Sequence, residues 1–229
     1  MFGRLAQLVR ALALQARGRR FESYIAHQTS LFDSWAELVQ SLVTDGAFRL
    51  AKTRIEEDLT YDVFDTDMGW VAIVASDHGV VRASLPEDSP ELALDYVQPE
   101  VVLAVHDPRR HADSRALIMA YCAGELIDLV DIPIDTRSAT PFFRAAWDAC
   151  RSIPAGETRS YGWLAEQVGN LKAARVAGQA MARNKLAMLV PCHRVISSSG
   201  ALGGFGGAGL PLKLSLLAME AGRQSEGNH

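Results

Sequence analysis

Residues 189–200 read LVPCHRVISSSG. An apolar run, Ala187 to Val190, stops at Pro191, which can neither continue a helix nor donate to a sheet ladder. Cys192 and His193 follow where the backbone must turn. A free thiol ionises near ~8.5, so at neutral pH it is mostly protonated and needs a nearby base or cation to become a nucleophile. His193 and Arg194 supply one of each. Side chains adjacent in sequence rarely bond to each other, so the pattern predicts a water bridging Cys192 and His193. The competing reading is a buried structural cysteine, a common fate of that residue.

Upstream of this turn the pattern is helical. Thr140-Pro141 has the form of an N-cap followed by a first helical residue. Phe143, Trp147 and Cys150 recur at three to four residues, which makes Cys150 a core residue. Pro154-Ala155-Gly156 breaks that helix. Tyr161 to Val168 predicts a second, Gly169-Asn170 a turn, and Ala173 to Ala182 a third, which is the outline of a helix-turn-helix. The last helix is lined by Ala174, Ala177, Gly178 and Ala182, small enough to approach a groove or another helix closely. Arg175 projects from its start, and Arg183-Asn184 closes it. Downstream of the cysteine, Leu212, Leu216 and Glu220 fall four apart, so a carboxylate lies in line with an apolar stripe. A buried carboxylate needs a partner, for which an imidazole is the natural choice; a solvated Glu in a terminal turn is the competing reading.

The chain has 229 residues, 48% hydrophobic and 22% charged, as expected for one or two packed domains and not for a disordered chain. It contains no uninterrupted apolar run of about 18 residues, which argues against a membrane span. Three cysteines without a CxxC spacing argue against a disulfide framework or a structural zinc, and for a reducing, cytoplasmic location. The net charge of −4 conceals an asymmetry. Glu56 to Asp135 holds 4 Lys or Arg against 18 Asp or Glu, whereas Arg137 to Arg194 holds 9 against 3. A basic segment within an acidic protein suggests a localised surface for a polyanion, and a solvated charged face is the competing reading.

Before the helices, Tyr61 to Phe64, Trp70 to Ala75 and Val80 to Leu85 read as strands, the last two joined at Asp77-His78-Gly79 as a hairpin. Ser114 to Cys122 predicts a helix stopped by Gly124, and Asp131 to Ile134 a short edge strand. His78, His106 and His111 lie in turn or loop contexts and are expected to be solvated. Residues 29–57 form a lead-in with one amphipathic helix, Ser34 to Val43. Residues 1–28 carry five Arg against one Glu, and AQLVRA and GRRFES resemble the translation of a transfer-RNA gene. That stretch is read as a spurious extension.

The order TPFFRAAW, IPAGETRSYGWLAEQVG, AARVAGQAMARN, LVPCHRV, SSGALGGFGG and a Leu-rich helix resembles the 6-O-alkylguanine-DNA alkyltransferases, the methylated-DNA–protein-cysteine methyltransferases. The likeness runs from about Asp58 to Gly222. It implies an α+β fold, with a small N-terminal α/β, ribonuclease H-like domain over residues 58–138. A mostly helical, winged helix-turn-helix-like domain would follow over 139–222, with a tail at 223–229. It also implies a single-turnover reaction in which an alkyl group passes from guanine in duplex DNA to Cys192, without cofactor or metal, in a monomeric protein. Carried over residue by residue, His193 activates the thiol through water and Glu220 backs His193. Asn184 ties the DNA-reading helix to the active-site segment, and Tyr161 assists extrusion and protonation of the leaving base. Arg175 fills the vacancy left by the flipped base. The helix bearing Ala174, Ala177, Gly178 and Arg183 lies along the minor groove.

The resemblance also implies that Val195 and the loop containing Gly203, Phe205, Gly206 and Gly207 would form the pocket wall. That loop departs from the family pattern at Phe205 and Gly206 and is one residue longer at Ala208. The alternatives are a related lesion-binding protein, which lacks the acceptor cysteine, and a Cys-His thiol hydrolase, which leaves the helix-turn-helix unexplained.

Overall fold

The computed structural model describes residues 59–125, 127–169, 173–202 and 209–226. The segment 1–28, the lead-in with its 34–43 helix, Asn170 of the turn, and Gly203 to Ala208 lie outside the described residues.

Three strands open the described chain: β1 (Thr60–Phe64), β2 (Val71–Ser76) and β3 (Gly79–Ala83). They pair antiparallel, with Thr60 opposite Ala75 and Phe64 opposite Val71 in the first pair. The predicted hairpin forms, and Gly79 is required in it. Its φ is +135°, and a Cβ there would sit 2.6 Å from the Pro133 carbonyl oxygen. Strand β2 is buried along its whole length. Val71, Ile73 and Ala75 face the larger core, whereas Ala72 and Val74 face a smaller one with Leu59, Ala93, Val97 and Ala104. Burial on both faces is why this strand reads as an unbroken apolar run.

Helix α1 (Pro90–Tyr96), capped by Ser89, covers the smaller core. The chain then returns as β4 (Val105–His106), parallel to β1, giving the sheet order β3-β2-β1-β4. Helix α2 (Ala112–Cys122) follows and ends before Gly124 at φ +87°. Two expectations fail in this region. His111 is 3% exposed and not solvated, because the Arg115–Asp62 ion pair, 3.0 Å, draws the start of α2 against β1. The edge strand expected at Asp131 to Ile134 is a 3-10 turn, Leu129–Asp131, followed by one isolated bridge between Ile134 and Val80. The Pro133 carbonyl accepts from Val80, but Pro133 has no N–H to extend a ladder.

Helix α3 (Pro141–Arg151) starts as predicted, with Thr140 Oγ1 accepting from the Phe143 amide. Strand β5 (Arg159–Ser160) leads into α4 (Tyr161–Gln167), whose N-cap Ser160 accepts from the Trp163 amide. Helix α5 (Ala174–Ala182) packs on α3 and α4, and Trp147 Nε1 donates to the Ala180 carbonyl at 2.9 Å. Strand β6 (Val195–Ile196) pairs parallel with β5, and α6 (Gly209–Glu226) closes the described chain. The larger core contains Ile73 and Ile118 from the first half together with Trp147, Leu164, Leu186 and Leu216 from the second. The Cys192 turn is therefore placed by both halves of the protein.

Candidate active site

The segment before the cysteine is anchored to the sheet. The Ala83 amide donates to the Lys185 carbonyl at 2.9 Å, and the Ala187 amide donates back to the Ala83 carbonyl at 3.3 Å. Leu186 to Val190 is buried throughout. Met188 takes a positive φ of 63°, a region that residues with a side chain seldom occupy and that is held here by surrounding packing. Asn184 then fixes the turn. Its Oδ1 accepts from the Leu186 amide at 2.9 Å, and its Nδ2 donates to the Val190 carbonyl at 2.8 Å and to Cys192 Sγ at 3.3 Å. Cys192 to Arg194 form a single 3-10 turn, leaving the cysteine partly exposed and His193 and Arg194 buried.

Beneath the turn lies a buried ionic array. Glu220 from α6 is fully buried, and its Oε1 lies 2.9 Å from His193 Nε2. Arg194 reaches the same carboxylate through Nε, at 3.2 and 3.1 Å, and through Nη2, at 2.9 Å. Its Nη1 donates to the Ile153 carbonyl at 2.6 Å. The Gly156 amide donates to Glu220 Oε2 at 3.2 Å, and the Tyr121 hydroxyl donates to Oε1 at 2.6 Å. Burial alone would raise the Glu220 carboxyl; hydrogen bonds from His193 and Arg194 outweigh it and hold the group well below the usual carboxylate range. Burial pushes the His193 imidazole down, against the pull of Glu220. Arg194 already balances the Glu220 charge, so the imidazole rests neutral. One ring nitrogen then donates and the other accepts; with Nε2 donating to the carboxylate, Nδ1 is the basic position.

Burial also pushes the Cys192 thiol up, opposed by the Asn184 hydrogen bond and the charge of Lys213. Lys213 is fully buried on α6, and its Nζ donates to the carbonyls of Val195, at 2.8 Å, and Leu202, at 2.6 Å. Its charge would favour a thiolate over a thiol. Tyr161, the first residue of α4, is partly buried, and burial followed by the Cys192 charge keeps its phenol protonated. Gly178 faces the Tyr161 ring, where a Cβ would lie in ordinary contact at 3.8 Å.

The arrangement brings together Cys192, His193, Glu220, Asn184 and Tyr161. Arg175 and Arg183 lie on the exposed side of α5, with Arg183 over the Phe143 ring at 5.9 Å, and Ala174 is partly exposed. Ala177 is fully buried in the larger core and cannot line a groove. Its small size serves helix–helix contact, because α5 packs on α3 and α4 through that face. Val195 is likewise fully buried. Gly203, Phe205, Gly206 and Gly207 lie outside the described residues. Cys150 is buried, with its thiol pushed well above the usual range by burial, in keeping with a core role. Tyr121, Lys213, and Arg194 in its role as partner of Glu220, were not singled out by sequence reasoning. Tyr121 sits in an ordinary amphipathic helix, and Lys213 falls on an apolar helix face where a lysine signals nothing by itself.

The family model of the 6-O-methylguanine DNA methyltransferase DNA-binding domain matches residues 141–222. A methylated-DNA–protein-cysteine methyltransferase of Mycolicibacterium paratuberculosis is 39% identical over 162 residues, 71% of this chain and 92% of that protein. The constitutive enzyme of that name from Bacillus subtilis is 34% identical over 160 residues, covering 70% of this chain and 94% of its own length. Among solved structures, Mycobacterium tuberculosis OGT in complex with DNA superposes with a TM-score of 0.62 at 35% identity. That match covers 72% of this chain and 94% of the other.

Proposed function

The chain belongs to the methylated-DNA–protein-cysteine methyltransferases, and from that premise we propose that Cys192 is its alkyl acceptor, His193 the base and Glu220 the carboxylate that orients the base. The protein repairs DNA by moving an alkyl group from 6-O-alkylguanine to a cysteine, and DNA is its partner. The observation that carries the residue assignment is the buried His193–Glu220–Arg194 array directly beneath a partly exposed thiol held by Asn184.

The thiol proton passes through a water to His193, and the resulting imidazolium lies against Glu220. The thiolate, held by the Asn184 amide and the Lys213 charge, attacks the alkyl carbon. The S–C bond forms as the C–O6 bond breaks, and the electron pair leaves with the guanine. Tyr161 donates a proton to the departing base, neutralising its developing charge. The thioether product has no route back to the thiol, so each molecule acts once. An alkylated base must leave the stack to reach a site enclosed in this way. Arg175 on the exposed side of α5 occupies the vacancy, and the exposed Arg183 adds phosphate attraction.

In this reading, α4, the turn and α5, flanked by the β5–β6 pair, act as a winged helix-turn-helix-like unit within residues 139–222. Residues 58–138 form a ribonuclease H-like layer behind it, supported by the order β3-β2-β1-β4. The protein works as a monomer in the cytoplasm, where the free thiols of Cys122, Cys150 and Cys192 stay reduced. No helix among the described residues is long and apolar enough to cross a membrane. Incubation with a duplex containing 6-O-methylguanine tests the reading. The intact mass should rise by one methyl group, located on the Cys192 peptide; binding without a mass gain would mean a lesion-binding protein instead.

A further inference from the structure

Tyr121 reaches the array from the opposite half of the chain. It lies near the end of α2, is 1% exposed, and its ring belongs to the larger core. Its hydroxyl donates to Glu220 Oε1 at 2.6 Å and lies 3.5 Å from His193 Nε2. That one oxygen also receives His193 Nε2 and Arg194 Nη2, each at 2.9 Å. A carboxylate oxygen offers about two lone-pair sites, so these donors compete for its charge. The ring alone would fill the space, as a phenylalanine would; the hydroxyl adds a short, charge-assisted bond to the group that governs His193.

Resting on the assignment of His193 as the base, we propose that Tyr121 is a positioning residue of the relay: its hydroxyl draws charge from Glu220 Oε1 and limits how strongly that carboxylate holds the imidazole. Among the described residues, the groups facing His193 include Glu220 and Lys213 from α6, Arg194 on its own turn, and Tyr121 from α2. Arg194 in turn faces Asp128, at 3.6 Å. Lys213 and Arg194 disfavour an imidazolium and Glu220 favours it, so the donors on Glu220 set the balance. Without the Tyr121 hydroxyl, Glu220 becomes a stronger acceptor and the imidazolium gains stability. The base is then protonated up to a higher pH than with the hydroxyl in place, which narrows the range in which it is free to take the thiol proton.

The test is Tyr121→Phe, which leaves no buried donor unpaired on Glu220. Titration of the His193 ring by nitrogen-15 NMR should give a midpoint raised by about 0.5 to 1 unit, the scale of one charge-assisted hydrogen bond. The acid limb of the transfer rate should move to higher pH by the same amount. At pH 8.5 the two proteins should agree within about twofold. Ile118→Val, a core change on the same helix, should leave the midpoint in place. Replacing tyrosine by 3-fluorotyrosine, a stronger donor, should lower the midpoint, and it serves as the decisive variant if Tyr121→Phe does not fold. An unchanged His193 midpoint in folded Tyr121→Phe, with a superimposable rate profile, would overturn the proposal. A shifted midpoint in a protein that transfers no alkyl group would uphold this relay while removing the alkyl-acceptor reading.

Discussion

In the proposed reaction Cys192 acts through its sulfur, and that sulfur depends on a carboxylate, Glu220, that never touches it. Substituting Cys192 by Ala should abolish the mass gain on alkylated duplex while leaving DNA affinity within about twofold, because the thiol contributes chemistry and not docking. A gel-shift titration beside intact-protein mass spectrometry checks both halves of that statement. Glu220→Gln strands the buried Arg194 charge and should cost about 3–5 kcal/mol of stability, together with slower transfer, measured by urea unfolding and by rate. The pH dependence follows from the shifts. The folded values of His193 and Glu220 both lie below their unfolded values, His193 through burial and Glu220 through its donors against burial. Each therefore stabilises the fold above its unfolded value and loses that contribution as pH falls towards its folded value. Stability should decline first below about 6.5 and again below about 4.3, the ordinary values of the two groups. The second decline should be smaller in Glu220→Gln, with Asp135, held down to about 2 by its Arg137 hydrogen bonds, keeping its own share.

Helix α5 divides its work between two faces. Ala177, Ala180 and Met181 are buried against the core, whereas Arg175, Val176, Gln179, Ala182 and Arg183 face outward. The outward residues are the ones available to DNA. Arg175→Ala should reduce repair of duplex DNA at least tenfold more than reaction with free 6-O-benzylguanine, since the free base needs no extrusion. Parallel rate measurements on the two substrates check this, and equal losses would assign Arg175 to the fold instead. Gly178 belongs to neither face alone: it is partly buried and faces the Tyr161 ring.

The whole molecule is joined by one continuous core. Ile73 and Ile118 share it with Trp147, Leu186 and Leu216, backbone hydrogen bonds tie Ala83 to the segment before the reactive turn, and Tyr121 crosses to Glu220. Residues 59–222 should therefore unfold in a single transition despite the change of architecture near residue 139. Tryptophan fluorescence, from Trp70 in the first half and Trp147 and Trp163 in the second, should coincide with far-ultraviolet circular dichroism across a urea titration. Separated midpoints would show that the halves are energetically independent.

By itself the sequence determined whatever depends on neighbours along the chain. Proline at the first helical position, the Thr140 cap, glycine at a positive φ, and apolar spacing are local constraints, so α3, α4, α5, the hairpin and the proline-led turn at Cys192 were all legible. Glu220 was legible because its apolar stripe stands on one helix. Local rules also allowed an edge strand at Asp131 and a solvated His111, and packing overruled both. Only the tertiary structure decided that Tyr121 meets Glu220 across 99 residues, that Arg194 neutralises that carboxylate, that Lys213 is buried near the sulfur, and that Ala177 packs inward. Burial and hydrogen bonding across the core are set by elements far apart in the chain. A side chain's charge state in that interior is a property of what the fold places around it.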